Sequence, residues 1–227
     1  MNRQVEVWDV THQRRLFTSP ESMLYLPAFT FSPDCRLLAV EYGDLSVIPV
    51  TSWHKLVIVN LADGRILLSR DPLSPRRGHY DGAYAFSPDS RLLAATSFRS
   101  VAVLEWASNQ IVATLTSGQA GGGHVVFSPA GDFLAAANTD QTVWVWRTTD
   151  WSQVTMLRPA QMPAVLAFSP EGAWLAVGEI ALDHLAGVEV WKTATWQLHI
   201  MLPSRAFAPC SVSSHSMSVK GKSKTFS

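Results

Sequence analysis

One unit recurs along this chain, and its period limits the possible folds more than any other feature. The clearest copy, His124 to Trp146, reads HVVFSPAGDFLAAANTDQTVWVW: two apolar runs, each followed by a small polar turn, and a third run rich in tryptophan. The motif prolines that mark the copies are Pro33, Pro88, Pro129, Pro170 and Pro209, which are 55, 41, 41 and 39 residues apart. A period of about 40 residues indicates an array of one supersecondary unit, with longer intervals absorbed by loops.

The apolar runs within each unit predict β-strands that are covered on both faces. FLAAA and VWVW are almost continuously apolar, a pattern typical of strands buried between two neighbouring sheets. Proline, glycine and aspartate fill the intervening turns, where they fix or tolerate unusual backbone angles. Apolar residues do not recur every 3.6 positions over a dozen residues anywhere in the chain, so few helices are expected.

The unit resembles the WD-repeat β-propeller family. Trp8-Asp9 matches the dipeptide that names the family, whereas Trp146-Arg147 and Trp191-Lys192 keep only the tryptophan. Asp140 stands where the family has an aspartate that joins a histidine and a serine or threonine in a structural hydrogen-bonded network. Gly118-Gln119 stands where the family has Gly-His before the third unit. The resemblance implies an all-β propeller of four-stranded antiparallel blades.

On this basis the chain has one propeller domain, residues 1–203, followed by a tail. The predicted blades are residues 28–68, 82–115, 123–157 and 164–202, with a half blade at 4–17. Residues 204–227 contain eight serines among 24 residues, four basic residues and no acid, and they are predicted to be a degenerate half blade and a disordered tail. The four blades and two half blades form either an open arc, which we favour, or a five-bladed ring.

Composition argues against several classes of partner. Eighteen basic residues balance eighteen acidic ones, so the chain has no overall field to attract nucleic acid or an anionic membrane. Its apolar runs are far shorter than the roughly 20 residues of a membrane helix. Cys35 and Cys210 are far apart and form no Cys-x-x-Cys motif, and no signal segment is evident at the N-terminus. We therefore expect a cytoplasmic protein that binds neither nucleic acid nor membranes.

Motifs of known catalytic chemistry are missing from the sequence. It contains neither a G-x-S-x-G elbow nor an H-E-x-x-H zinc motif, and its seven histidines include no close pair. Gly118 to Gly123 leads into a strand and lacks the following Lys-Ser/Thr, so it does not form a phosphate-binding helix start. We therefore predict no catalytic residue, no metal ligand and no cofactor.

The candidate binding residues lie in the connections that stretch the repeat. In propellers of this family, the connections between the second and third strands and those between blades open on the same face. Arg, Tyr and Trp are common at interface hot spots, although any one of these residues also fits an ordinary solvated loop. The candidates are Tyr42, Asp44, Trp53, Arg76, Arg77, His79, Tyr80, Asp81, Glu179, Asp183 and His184. By contrast, Trp144, Trp146, Trp174 and Trp191 lie inside strands and are predicted to be core.

These observations favour a non-enzymatic scaffold for protein–protein interaction, with other proteins as partners. The first alternative is a propeller hydrolase or lactonase-like enzyme with a site in the central channel, where His124 and Tyr84 are the only candidates on the inner strands. The second is a sensor fragment of a larger signalling protein.

Overall fold

The computed structural model describes residues 6–18, 28–43, 54–71, 73, 83–97, 100–117, 122–181 and 184–203. All regular secondary structure in these ranges is β-strand, which confirms the predicted all-β class. Within the same ranges there is no helix long and apolar enough to cross a membrane.

The strands form four sheets of four antiparallel strands and one two-stranded hairpin, in chain order. The N-terminal hairpin consists of β1 (Glu6–Asp9) and β2 (Arg14–Thr18). Sheet 1 contains β3 (Phe29–Phe31), β4 (Leu37–Gly43), β5 (His54–Asn60) and β6 (Ile66–Arg70). Sheet 2 contains β7 (Tyr84–Phe86), β8 (Leu92–Thr96), β9 (Ser100–Glu105) and β10 (Gln110–Thr116). Sheet 3 contains β11 (Gly122–Phe127), β12 (Phe133–Asn138), β13 (Thr142–Arg147) and β14 (Gln153–Leu157). Sheet 4 contains β15 (Met162–Phe168), β16 (Trp174–Ala181), β17 (His184–Lys192) and β18 (Gln197–Pro203).

The Phe-Ser-Pro motif forms the turn between the first two strands of every sheet. In sheet 1 the Ser32 N–H donates to the Leu37 carbonyl at 2.9 Å, and the Leu37 N–H donates back to Ser32 Oγ at 2.9 Å. Cys35 occupies the left-handed region at φ 56°, and Ser90, Gly131 and Gly172 do so in the other three turns. The serine hydroxyl therefore replaces a strand hydrogen bond where the chain reverses direction.

Neighbouring sheets pack face to face, and successive residues of a strand point to opposite neighbours. Leu134 and Ala136 of β12 pack against sheet 2, whereas Ala135 and Ala137 pack against sheet 4. Sheets 1 and 2 are joined in the same way by a third buried cluster that includes Ile58 of sheet 1. Because both faces of sheets 2 and 3 are covered, their strands are apolar almost throughout.

The N-terminal hairpin extends this stack beyond sheet 1. Val7 and Phe17 are buried against Leu38 of sheet 1 and its neighbours. Gly64, at φ 73°, lies so close to the hairpin that a Cβ at this position would be 2.2 Å from the Leu16 carbonyl oxygen. The hairpin is therefore closely packed on sheet 1, although it has only two of the four strands of a sheet.

The core prediction holds for three of the four tryptophans and is wrong for the fourth. Trp146 is buried between sheets 2 and 3, and Trp144 and Trp191 are partly buried against the clusters on either side of sheet 3. Trp174 instead contacts the ring of His199, at 4.7 Å between ring centroids, and belongs to none of the buried clusters. It points to the side of sheet 4 that no other sheet covers among the described residues.

Candidate functional site

We call the edge that carries the second-to-third-strand connections and the connections between sheets the loop rim. The connections between the second and third strands lie at the same edge as the connections between sheets, because successive strands run in opposite directions. Tyr42 lies near the end of β4, Glu179 lies in β16 and His184 begins β17. Asp44, Trp53, Arg76, Arg77, His79, Tyr80, Asp81 and Asp183 lie outside the described residues.

The structure corrects the assignment of Glu179 to a binding loop. β16 and β17 pair as far as Ala181 and His184, so Glu179 lies within the paired strands and not in the connection between them. Glu179 is fully buried, and its Oε1 accepts a hydrogen bond from the Gln161 N–H at 2.9 Å. Its carboxyl is thus used to hold the connection from sheet 3 and is not available to a partner in this conformation.

A second buried acid, Glu189, neighbours Glu179 at the rim. It accepts hydrogen bonds from the Ala160 N–H and from Trp191 Nε1, each at 3.1 Å. Burial raises the pKa of Glu189, these two donors lower it, and the adjacent Glu179 raises it further. The net effect is a pKa of Glu189 above the ordinary glutamate value, and the two hydrogen bonds fix the start of sheet 4.

Sheet 3 has a polar network at the equivalent place. Thr142 Oγ1 donates to Asp140, and Trp144 Nε1 donates to Thr142 Oγ1 at 3.0 Å. Asn138 Nδ2 donates to the Ser117 carbonyl at 2.7 Å. Asp140 therefore has the hydroxyl partner that the family resemblance implies, while Asn138 anchors the incoming connection.

Sheets 1 and 2 have different polar contacts near the same edge. The buried Glu41 accepts a hydrogen bond from the Tyr84 hydroxyl, which ties sheet 1 to sheet 2. Thr96 Oγ1 accepts from the Ala83 N–H at 2.8 Å and donates to the Gly123 carbonyl at 3.2 Å. Sequence reasoning missed Glu41 and Glu189, although each is a charge inside an apolar run (LLAVE and VEVW) and an unpaired charge is costly there.

The inner strands β3, β7 and β11 line an open groove of about 490 Å³, where the enzyme alternative would place its site. His124 borders this groove, and its Nδ1 accepts a hydrogen bond from the Leu166 N–H at 3.2 Å. Burial lowers the pKa of His124, which favours the neutral ring. Among the described residues, no three His, Cys, Asp or Glu side chains converge on a possible metal position.

Sequence comparison relates the chain to known repeat proteins. Residues 111–147, from β10 to the end of β13, match the family described as WD domain, G-beta repeat. Protein groucho of Drosophila melanogaster is 27% identical over 219 residues, which cover 91% of this chain and 28% of that protein. Protein HIR1 of Mycosarcoma maydis is 34% identical over 83 residues, covering 34% of this chain and 8% of that protein. The chain thus spans less than a third of either curated relative.

Structural comparison confirms the β-propeller architecture of four-stranded blades. A chain of the mitotic checkpoint complex superposes with a TM-score of 0.71 at 17% identity, covering 90% of this chain and 59% of that one. A chain of Kuenenia stuttgartiensis hydrazine synthase gives a TM-score of 0.63 at 17% identity, covering 78% and 48%. At this identity the likeness concerns the fold alone, and the fold is shared by proteins of different function.

Proposed function

The chain is a member of the WD-repeat β-propeller family, and from that premise we propose that it is a non-enzymatic scaffold that binds other proteins through the loop rim. The observation that supports this proposal most is the fixed rim of sheets 1 to 4. At sheets 2, 3 and 4, buried polar side chains hold the incoming connection to the strands, as Asn138 does with Ser117, and at sheet 1 Glu41 accepts a hydrogen bond from Tyr84 of sheet 2. A rigid rim suits recognition because loops that start from fixed ends lose less conformational entropy on binding.

The proposed contact residues come from the two insertions that stretch the first repeat interval. These insertions carry Trp53, Arg76, Arg77 and Tyr80, residue types that often dominate interfaces. Buried polar side chains at the rim, such as Asn138 and Thr96, already hold connections within the fold, which is why we assign binding to the insertions and not to the strand ends. We further propose a cytoplasmic location, since the described Cys35 is a free, exposed thiol.

The experiment is affinity purification of the full chain from its native cells, with the bound proteins identified by mass spectrometry. Arg77→Ala with Tyr80→Ala should remove the main partner and leave the melting temperature unchanged, because loop residues contribute little to packing but much to an interface.

The matched control is Arg36→Ala with Arg65→Ala, which removes two exposed arginines from turns on the opposite edge. It should retain the partner. If the two double variants retain the same proteins at wild-type levels, the loop rim is not the binding surface.

A further inference from the structure

A small pocket opens between the turns of sheets 2 and 3, on the edge opposite the loop rim. Its volume is about 320 Å³, at the lower end of the range for ligand-binding pockets and large enough for one long side chain. Pro88, Leu92 and Phe127 contribute apolar walls, and Asp89 and Thr149 contribute polar groups. All of the lining residues belong to the described part of the chain.

The repeat explains why space remains at this junction. In sheet 2, Trp106 stands at the position of Thr148 in sheet 3. Trp106 packs against the buried cluster between sheets 1 and 2, and its Nε1 donates to the Ser90 carbonyl at 2.7 Å. In sheet 3 the Thr148 hydroxyl makes the corresponding hydrogen bond, to the carbonyl of Gly131, without contributing a ring. An indole ring therefore fills the first junction, and the pocket occupies the corresponding place in the second.

Asp89 gives this pocket a negative charge. Its Oδ1 accepts hydrogen bonds from Ser87 Oγ at 2.5 Å and from the Arg91 N–H at 3.1 Å. These donors, Ser87 above all, hold the pKa of Asp89 below its ordinary value although partial burial raises it, so the carboxylate is ionised at neutral pH. Among the described residues Oδ2 accepts no hydrogen bond, and the Arg91 guanidinium donates to Glu105 at 3.0 Å.

The other two junctions between described four-stranded sheets differ from this one. Asp34 has the position of Asp89 in sheet 1, but the buried Ser90 of sheet 2 lies beside it. Sheet 3 has Ala130 at the same position, so its junction with sheet 4 lacks the acid. The combination of space and an available carboxylate is thus not a general product of the repeat.

We propose that this pocket binds an arginine side chain of another protein, with the aliphatic stem against Pro88 and Leu92 and the guanidinium at Asp89. Apolar walls with one ionised acid fit arginine, because its long apolar stem carries a charged head that is only weakly hydrated. The guanidinium has five N–H donors, so it offers partners for both Asp89 Oδ2 and the Thr149 hydroxyl. The pocket lies away from the loop rim, so it is tested independently of the proposed function.

The probe is Nα-acetyl-arginine amide, and its control is Nα-acetyl-citrulline amide, which has nearly the same shape and no charge. Titration of the isotope-labelled full chain, followed by nuclear magnetic resonance, measures affinity and locates binding from the amide shifts of Asp89, Gly131 and Thr149. The arginine derivative should shift these amides with a dissociation constant on the order of 1 mM, as expected for a single side chain. The citrulline derivative should bind at least about threefold more weakly.

Three variants test the pocket, and a fourth is their control. Asp89→Asn keeps the Oδ1 acceptor but removes the charge, so it should weaken arginine binding at least about threefold with an unchanged melting temperature. Asp34→Asn changes the same turn position in sheet 1 and should leave binding unchanged. Thr148→Trp copies sheet 2, and its ring should fill the pocket and abolish binding. Ala130→Arg, at an exposed position of the pocket wall, supplies a guanidinium from the chain itself and should block binding even if the tryptophan variant does not fold.

Three results would overturn the proposal. The first is the absence of shifts at the pocket of the wild-type chain, whether because the pocket has no affinity or because a residue of the chain itself occupies it. The second is equal affinity for the arginine and citrulline derivatives, which would show that the charge of Asp89 plays no part. The third is an equal loss in Asp89→Asn and Asp34→Asn, or unchanged binding to folded Ala130→Arg, which would place the bound derivative elsewhere.

Discussion

Sheets 3 and 4 have nearly the same sequence pattern but different surroundings. VWVW in β13 and VEVW in β17 occupy equivalent positions, and each sheet has a Phe-Ser-Pro turn between its first two strands. In sheet 3 both faces are covered, and Ala135 and Val143 are fully buried towards sheet 4. The corresponding face of sheet 4 has no neighbour among the described residues, and Val165 on it is half exposed.

The comparison shows that the apolar pattern of one repeat is suited to burial between two neighbouring sheets and not to a sheet that stands alone. Ala176 lies on the face of β16 that points away from sheet 3. Another sheet on that face would bury it, but here it is only partly buried. An apolar residue contributes stability in proportion to the area it removes from water. Similar sequences in sheets 3 and 4 should therefore contribute unequally to the stability of the protein.

The largest expected difference is between Trp146 and Trp174. Trp146→Ala deletes a ring buried between sheets 2 and 3, and it should lower the free energy of unfolding by about 3 to 5 kcal/mol. Trp174→Ala removes a ring that rests on the half-open face of sheet 4, and it should cost less than about 2 kcal/mol.

Urea denaturation of the two variants measures both values. Equal costs would show that the far face of sheet 4 is covered in solution and would remove the basis of the comparison. Loss of soluble protein in the Trp146 variant alone would agree with the expected order, since such a cost is a large share of the total stability.

The contrast between the sheets also shows how far the sequence alone could lead. The period of the prolines and the near-continuous apolar runs predicted four-stranded blades, because strand burial is visible in local composition. The assignment of Glu179 to a loop failed because the end of a strand depends on its partner, and β16 continues to pair with β17 as far as Ala181. The exposure of Trp174 could not be predicted either, since it depends on what lies beside the sheet. The binding residues in the insertions stay a prediction.

A smaller difference concerns pH, because sheet 4 has Glu179 and Glu189 at the positions that Asn138 and Trp144 occupy in sheet 3. Burial raises the pKa of Glu189 above 4.5, the ordinary value of a glutamate. As the pH rises from 4.5 to the folded-state pKa, the unfolded chain loses this proton first. Glu189 should therefore make the free energy of unfolding decrease with pH across that window. Glu189→Gln should remove this part of the slope.

Melting temperatures measured from pH 4 to pH 8 test the expectation. Glu171→Gln changes an exposed acid in a turn of the same sheet, so it should keep the wild-type slope and serves as the control. The glutamine also gives Trp191 Nε1 a poorer acceptor, so a uniform loss of stability is compatible with the argument. An unaltered slope in Glu189→Gln would show that Glu189 does not titrate differently in the folded state.

The smallest expected effect is that of deleting residues 211–227, and it tests whether the free face of sheet 4 has a cover within this chain. The segment follows β18 and is rich in serine and lysine, so it has little apolar surface with which to offset the entropy of ordering. The melting temperature should stay within about one degree of the wild-type value, corresponding to less than about 0.5 kcal/mol. Val165→Asp should be similarly mild if the face is open, whereas Val143→Asp buries a charge between sheets and should unfold the protein. A drop of several degrees on deletion, together with a severe effect of Val165→Asp, would show that the tail packs on sheet 4 and would favour closure of the ring.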